Sequence, residues 1–471
     1  MFQETLYNIV CKINEYLSNY ILIAMLVGVG LWYSIRTRFV QVRCFGEGMK
    51  KTFGNLKLRG GRQDTGMSSF QALATAIAAQ VGTGNIVGAS GAILAGGPGA
   101  IFWMWVIAFF GMATIYAEAT LAQETRVVNE DGSIAGGPVY YIKRAFKGGF
   151  GKFMTVFFAV FAIIALGVIG PMVQSNSIGS TFETAFGIPA WIVGIIVAVL
   201  AGLVFFGGLK VLASVTEKLV PIMACLYLVG GLVVLAARIT YIPAAFGMIF
   251  KYAFTPNAII GGAIGTAIKM AISQGAKRGL FSNEAGMGST PHAHALAQVE
   301  KPHDQGVVAM IGVFIDTFVV LTMTALVVIS TLYTKGGVLE AGAAAGVDKT
   351  NMAQLAFGSV FGEGFGSAFV AICLLFFAFS TILGWNLFAK INAEYLFGKV
   401  GGYVLAVIAV VTTFLGTIWS NDFVWELQDM SDMLIVLPNV IALFALSALV
   451  VKSVKDGYAA KKAAKEKEAD K

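Results

Sequence analysis

The chain contains many apolar stretches, separated by turn-rich or charged breaks, that are each long enough to cross a lipid bilayer. A helix needs about 20 apolar residues to span the hydrocarbon core. With 57% hydrophobic and only 13% charged residues among 471, the sequence has too little polar surface for a water-soluble domain. We therefore predict an all-α polytopic membrane protein. Eleven membrane helices are expected, near residues 20–35, 70–95, 99–122, 153–179, 189–207, 211–236, 258–290, 306–332, 366–389, 401–419 and 432–451.

The basic residues predict the orientation of these helices, because loops rich in Lys and Arg stay on the cytoplasmic side. If eleven spans alternate, most of the 33 basic residues share the side of the C-terminal tail. The opposite side carries only five, which are Lys12, Arg238, Lys251, Lys335 and Lys349. We expect a multi-pass protein of the cell membrane with the N-terminus outside and the C-terminus in the cytoplasm. The net charge of +7 then reflects topology and not a nucleic-acid partner.

The span near 70–95 contains a polar, glycine-rich interruption with the sequence QVGTGN, in which Gln80, Thr83 and Asn85 stand among glycines. Such a sequence is a poor continuous helix. In lipid, unwound backbone is tolerated only where it faces protein, water or a ligand. The freed N–H groups favour a carboxylate and the freed carbonyls favour a cation. A zwitterionic amino acid with a sodium ion fits one such break, whereas close helix contact alone would need glycine but not the polar residues.

A second interruption is expected at Ser273, Gln274 and Gly275, inside the span near 258–290. When the N-terminal span is set aside, the two breaks fall in the first and the sixth of ten helices. Broken helices at matching places in two halves are typical of transporters built from inverted repeats. We expect four parts: residues 1–67 with the extra helix, repeats at 68–237 and 238–451, and a charged tail at 452–471.

Four motifs make the chain resemble a known family: QVGTGNIVG, AGGPGAIFWMW, GGPVYYI at 136–142, and KRGLFSNEAGMGS at 277–289. They are similar to the alanine or glycine:cation symporter family, and the likeness extends over essentially the whole chain. The resemblance implies a LeuT-like fold of ten core helices in 5+5 inverted repeats. It also implies sodium-driven uptake of small neutral amino acids such as alanine or glycine, although some relatives use protons. Sodium would then be the coupling ion, and the oligomeric state stays open.

The resemblance also implies a substrate site and a sodium site. The expected substrate-binding residues are Thr83, Gly84, Asn85, Gln174, Ser273, Gln274, Gly275 and Trp385, with Asn176 as a further candidate. The expected sodium ligands are the carbonyls of Ala78, Val81 and Phe377 and the hydroxyls of Ser380 and Thr381. Oxygen ligands of this kind suit a hard cation. Two alternatives stay open: the hydroxyls bond back to their own helix, and Trp385 only packs.

Two acidic residues, Asp316 and Glu118, lie within predicted spans, where an ionisable group indicates function by default. Either could bind a proton or a cation. The favoured alternative is an internal ion pair with Lys269, Lys277 or Arg278.

The cysteines and histidines show no spacing typical of a disulfide framework or a metal site. We expect the cysteines to act as small buried hydrophobes and the histidines to belong to a polar cytoplasmic loop. These residues are Cys11, Cys44, Cys225, Cys373, His292, His294 and His303.

Two further classes of membrane protein, a channel and an intramembrane enzyme, have no positive feature in the sequence. The polar groups converge on helix breaks and do not form rings around a pore. Paired carboxylates or a nucleophile with its base are not evident at membrane depth.

Overall fold

The computed structural model describes residues 2–54, 66–130, 132–255, 264–340, 342 and 345–469, and these are mostly helical. A short antiparallel hairpin joins β1 (Val127–Val128) to β2 (Ile134–Ala135). The α-helices are α1 Phe2–Tyr16, α2 Ile23–Arg36, α3 Val40–Arg43, α4 Phe45–Phe53, α5 Ser69–Gln80, α6 Ala89–Gly96, α7 Ala100–Thr125, α8 Pro138–Ala145, α9 Gly148–Ala162, α10 Gly170–Phe186, α11 Ala190–Ala237, α12 Ile242–Phe254, α13 Ile264–Asn283, α14 Pro291–Leu296, α15 Pro302–Val313, α16 Thr322–Leu332, α17 Met352–Phe361, α18 Glu363–Gly416, α19 Asn421–Ala445 and α20 Ser447–Ala469. Single π-helical segments join several of them, at Leu17–Leu22, Gly84–Gly88, Ile163–Ile169 and Phe314–Leu321.

Seven helices of the described residues are long and apolar enough to cross a membrane, and the bent pair of α5 and α6 adds an eighth. Two of the seven, α11 with 48 residues and α18 with 54, would be about 70–80 Å long if straight. Because the hydrocarbon core is about 30 Å thick, each can supply two spans. The direction changes at Gly208 and Gly398, whose φ values of 78° and 67° are left-handed.

The remaining candidate span is α13, which carries three basic residues and starts directly after residues 256–263, outside the described part of the chain. The count of eleven spans therefore stays a prediction. The last span, expected at 432–451, has other bounds in the structure: α19 begins earlier, at Asn421, and ends at Ala445, and α20 follows from Ser447. The repeat limits and the orientation also stay predictions.

The first predicted break is present between α5 and α6. A capping box fixes the start of α5, because Ser68 and Gln71 each accept a hydrogen bond from the other's backbone N–H. The helix ends at Gln80, since Val81 is extended with ψ 90°. The backbone resumes as a π-helical segment, and the two helices are inclined by 47° to one another. The glycine-rich sequence therefore does interrupt the span.

The second break lies further along the chain than the sequence predicted. Helix α13 is continuous through Ser273, Gln274 and Gly275 and ends at Asn283. Unwound backbone follows, with left-handed φ values at Glu284, Gly286 and Gly288. The expectation of a break at 273–275 was wrong because Gly275 serves close packing: a Cβ there would lie 2.6 Å from that of Trp103 in α7.

Helix α18 lies against α5 and carries the predicted hydroxyls to the first break. The contact is close at Gly384, where a Cβ would lie 2.9 Å from the Cβ of Ala79. Small residues let two membrane helices approach in this way. The same helix packs along α10 and α11, so three elements meet around the end of α5.

Candidate substrate and cation site at the helix breaks

The unwound segment after α5 is tied to α10 by one side chain. The Gln174 amide oxygen accepts hydrogen bonds from the Thr83 N–H at 3.1 Å and from the Thr83 hydroxyl at 2.7 Å. The Asn85 amide oxygen accepts from the Gly82 N–H at 2.9 Å, which closes the turn. All these side chains are buried. The structure thus brings together three of the predicted substrate-binding residues.

Gly84 is the point at which the two breaks touch. A Cβ on Gly84 would lie 3.0 Å from Phe281 Cδ1 and 3.0 Å from the Cα of Ser282. These two residues form the last turn of α13, just before its unwound segment. Residues from both broken helices therefore surround one small region of backbone.

A buried carboxylate, Asp316, lies beside this contact in the π-helical segment Phe314–Leu321. It accepts hydrogen bonds from Asn85 Nδ2 at 2.6 Å, from the Ser282 hydroxyl at 2.9 and 3.1 Å, and from the Thr317 hydroxyl at 2.8 Å. Its partners are neutral, and among the described residues no Lys or Arg forms an ion pair with it. A cluster of oxygens around one carboxylate suits a monovalent cation or a proton.

The favoured ion pairs for the buried acids were wrong. Glu118 accepts from the Gly286 N–H at 3.0 Å and from Asn439 Nδ2 at 2.7 Å. Arg278 instead forms a bidentate pair with Asp429 of α19, at 2.9 and 3.0 Å. Neutral donors satisfy both Glu118 and Asp316, and Arg278 pairs with Asp429 instead.

The predicted sodium ligands meet where α18 crosses the end of α5. The hydroxyls of Ser380 and Thr381 each lie 3.0 Å from the Ala78 carbonyl oxygen, and Thr381 also lies 3.0 Å from that of Ala79. They additionally bond back to the Phe377 carbonyl, at 2.8 and 3.2 Å. Hydrogen bonds to their own helix therefore account for only part of the contacts of Ser380 and Thr381.

Val81, the fifth predicted sodium ligand, is the first residue beyond α5. The last carbonyls of a helix have no partner within it. Since Val81 itself is extended and almost fully buried, its carbonyl lies at the same helix end as that of Ala78. The carbonyl oxygen of Ala79 is a further candidate sodium ligand at this helix end, and the sequence did not predict it.

Trp385 forms a wall next to the second break. Its indole N–H donates to Glu284 Oε1 at 2.7 Å, and its ring meets Phe281 edge-on at 5.6 Å. Ser289 donates to the other Glu284 oxygen. A Cβ on Gly170 of α10 would clash with the indole. Glu284 and Ser282 were not predicted as site residues, although the dense glycines of SNEAGMGS could have indicated them.

Four residues predicted for the substrate site lie away from this centre. Ser273, Gln274 and Gly275 precede the break by about two helical turns, and Gln274 and Gly275 face α6 and α7. Asn176 donates to the carbonyl of Gly416 at 2.8 Å and so ties α10 to the end of α18.

A charged and aromatic layer covers the site next to α19. The Arg278 guanidinium lies 4.5 Å from the ring centre of Trp425, and Trp425 lies 4.7 Å from Phe281. The Arg278–Asp429 pair is largely buried, with 11% and 4% of the side chains exposed. Arg278 therefore connects α13 to α19 beside the packed rings of Trp425 and Phe281.

Residues 3–471 match the sodium:alanine symporter family. The sodium/alanine symporter AgcS of Methanococcus maripaludis is 39% identical, over 95% of this chain and 96% of its own. YrbD of Bacillus subtilis, whose name describes a sodium/proton-dependent alanine carrier, is 40% identical over 95% and 91%.

A solved structure, MhsT in complex with L-phenylalanine, matches with a TM-score of 0.60 and 14% identity, over 83% of this chain and 96% of that one. At this identity the match shows the fold alone, and it confirms the LeuT-like all-α architecture. Both sequence relatives are carriers, which identifies the chain as a membrane transporter for amino acids coupled to a cation. The chain belongs to the sodium:alanine symporter family.

Proposed function

We propose that this protein imports small neutral amino acids such as alanine and glycine together with sodium, by alternating access across the cell membrane. One observation carries the proposal. The unwound segment at Thr83–Asn85, the hydroxyls of α18 and the carboxylate of Asp316 converge on the contact between two broken helices.

The substrate carboxylate would bind at the unwound segment after α5. Backbone N–H groups at the start of a helical segment carry partial positive charge and favour an anion. Gly84 lets the two breaks pack closely beside this backbone, and the Thr83 and Gln174 side chains are placed to exchange their mutual hydrogen bond for one with the substrate. Asn85 holds the turn in shape.

The side chain of the substrate would face Trp385 and Phe281. These rings are buried. The indole donates a hydrogen bond to Glu284 and packs so closely on Gly170 that a Cβ there would clash with it. A rigid aromatic wall excludes added methylenes by steric contact, at a cost of about 1–3 kcal/mol for each. This restriction favours alanine and glycine over larger neutral amino acids.

Two cation positions are proposed. The first uses the carbonyls of Ala78, Val81 and Phe377 with the hydroxyls of Ser380 and Thr381, all neutral oxygens. The second lies at Asp316, with the hydroxyl oxygens of Ser282 and Thr317 close by. A cation at the first position would tie α5 to α18, and one at the second would tie Phe314–Leu321 to the end of α13, so that ion binding would shape the substrate site between them.

Proton-coupled symport is the second candidate, and the environment of Asp316 favours it. Its hydrogen-bond partners are neutral donors, so the negative charge of this carboxylate could be neutralised either by a proton or by a sodium ion. The choice between the two ions depends on transport measurements.

The deciding experiment is uptake of radiolabelled alanine into liposomes that contain the purified protein. An inward sodium gradient, an inward proton gradient and no gradient are compared, with unlabelled glycine, glutamine and phenylalanine as competitors. We expect concentrative uptake with sodium, inhibited by glycine and much less by phenylalanine. Uptake driven by protons alone would support the second candidate. No uptake under any gradient would contradict the proposed substrate class.

A further inference from the structure

A cluster of three metal-ligating side chains lies far from the helix breaks, at the edge of the protein that the basic loops predict to be cytoplasmic. Cys44 separates α3 from α4, Glu47 follows it in the first turn of α4, and His303 is the second residue of α15. One ligand atom from each lies within 4.8 Å of the others. Cys44 and His303 are buried, and Glu47 is partly buried.

The orientation of His303 leaves one ring nitrogen directed into this cluster. Its Nδ1 is occupied by a hydrogen bond with the Tyr116 hydroxyl at 2.7 Å. Its Nε2 is buried without a hydrogen-bond partner, and Glu47 Oε1 lies 3.4 Å away. The imidazole is only 2% exposed, so water does not readily reach this nitrogen. A hydrogen bond to the second nitrogen is the arrangement that orients histidine ligands in metal sites.

The other two ligands also have a free coordination position. Glu47 uses Oε2 for Lys461 at 3.1 Å, which leaves Oε1 facing the histidine. Cys44 Sγ contacts the Tyr458 hydroxyl at 3.2 Å and has no disulfide partner.

Thiolate, imidazole and carboxylate together are a ligand set that zinc-like divalent cations prefer over sodium, calcium or magnesium. Ligand atoms of a tetrahedral zinc site are about 3.3–3.8 Å apart, given bond lengths of about 2.0–2.3 Å. The distance from Glu47 Oε1 to His303 Nε2, 3.4 Å, is already in this range. The other separations lie within 4.8 Å and need to shorten by at most about 1.5 Å, which side-chain rotation can supply. The nearest competing cations are Lys461 and Lys51, and both are partly exposed, so they can move away from Glu47.

We propose that Cys44, Glu47 and His303 bind a zinc-class divalent cation, with water in the fourth position. The bound metal ties the amphipathic helix α4 to the start of α15, the segment that leads to Asp316. This site is separate from the proposed substrate and sodium positions and does not depend on them.

The test uses the purified full-length protein, first stripped with a chelator and then titrated with Zn²⁺ or Co²⁺ alone. We expect one equivalent of Zn²⁺ to bind by calorimetry, and Co²⁺ to give a thiolate charge-transfer band in the near ultraviolet. Cys44→Ser should abolish the band. His303→Gln and Glu47→Gln should each weaken Zn²⁺ binding at least 10-fold. Size-exclusion elution checks that each variant is folded.

Cys225→Ser is the matched control, because Cys225 is an exposed free cysteine in α11. It should keep both the band and the affinity for Zn²⁺. The proposal is overturned if the wild-type protein shows no saturable Zn²⁺ binding, if the Co²⁺ band persists in Cys44→Ser, or if Cys225→Ser removes it. Because neither readout involves transport, the result is independent of the proposed symport.

Discussion

Asn85 links the first helix break to Asp316 through the two ends of one amide: its oxygen accepts from the Gly82 N–H, and its nitrogen donates to Asp316 Oδ1 at 2.6 Å. The carboxylate and the unwound backbone therefore share a residue. A cation or proton that changes the charge at Asp316 changes the hydrogen bonding of Asn85, and with it the shape of the turn that is proposed to hold the substrate.

Asp316→Asn is expected to raise the sodium concentration for half-maximal alanine uptake by about 10-fold, which corresponds to about 1.4 kcal/mol. The amide keeps the shape of the side chain but supplies no negative charge to a cation. Initial uptake rates across a sodium series measure the effect. Glu118→Gln is the control, since Glu118 is equally buried but contacts Gly286 and Asn439. An unchanged sodium response in Asp316→Asn would remove this carboxylate from the ion sites.

Thr381→Ala is expected to weaken sodium dependence at least 10-fold while maximal substrate occupancy changes less. The substitution removes a hydroxyl that reaches the carbonyls of Ala78 and Ala79 across the helix boundary. Sodium-dependent binding of labelled alanine gives both quantities. Thr413→Ala is the matched control, because the Thr413 hydroxyl bonds only to a carbonyl of its own helix among the described residues. Equal effects in the two variants would place sodium elsewhere.

Gly84→Ala is expected to reduce uptake by more than 10-fold while insertion into the membrane is retained. The new methyl group would press on Phe281 and on the backbone of Ser282, each at 3.0 Å, at the point where the breaks meet. Uptake is compared at equal protein content in the membrane fraction. Gly28→Ala is the control, since nothing lies within 4 Å of a Cβ at Gly28. Full uptake by Gly84→Ala would refute a close approach at this position.

The sequence predicted the first break because its polar residues and glycines fall within one short stretch of an apolar span. Polar side chains such as Gln80, Thr83 and Asn85 need hydrogen-bond partners inside a membrane. The structure shows each of them in a hydrogen bond near the break. The pairing of α18 with Ala78 followed from the family resemblance. Neither periodicity nor composition indicates which distant helix supplies a hydroxyl.

The second break was misplaced because glycine has two uses in membrane helices. Gly275 looked like an interruption but packs against α7, whereas Gly286 and Gly288 adopt left-handed backbone that other residues rarely adopt. The ion-pair partner of Arg278 also could not be predicted from the residues near it in the sequence. Its partner Asp429 is 151 residues away, and only the packing of α13 on α19 brings them together.

Glu47→Gln is expected to lower thermal stability at neutral pH, and to lower it less as the pH approaches 3. His303 and then Lys461 lower the pKa of Glu47 from its ordinary 4.5 to about 2, against the effect of burial. Since the folded state favours the ionised carboxyl, its stabilising effect is complete above about pH 4.5 and is lost as the pH falls toward 2. Melting temperatures of wild type and Glu47→Gln are compared from pH 7 to pH 3 with a chelator present. Glu466→Gln, at an exposed pair with Lys462, should show no such convergence.

Arg278→Ala is expected to reduce alanine uptake at least 10-fold, because it leaves Asp429 buried without its partner and opens the layer above Phe281. Removing one member of a buried pair costs about 3–5 kcal/mol, so a loss of folding must be separated from a loss of transport. Arg278→Lys makes that separation, since it keeps the charge but loses the bidentate contact.

The exchange variant, with Arg278→Asp combined with Asp429→Arg, tests the pair itself. If the Arg278–Asp429 pair holds α13 against α19, the exchange should restore part of the uptake that either single change abolishes. Uptake is measured at equal amounts of folded protein, judged by size-exclusion elution. Lys462→Ala is the control, because the Lys462–Glu466 pair is exposed on both sides, at 81% and 64%, and contributes little. If the exchange is no better than the single variants while Arg278→Lys transports normally, the bidentate geometry is not required for transport.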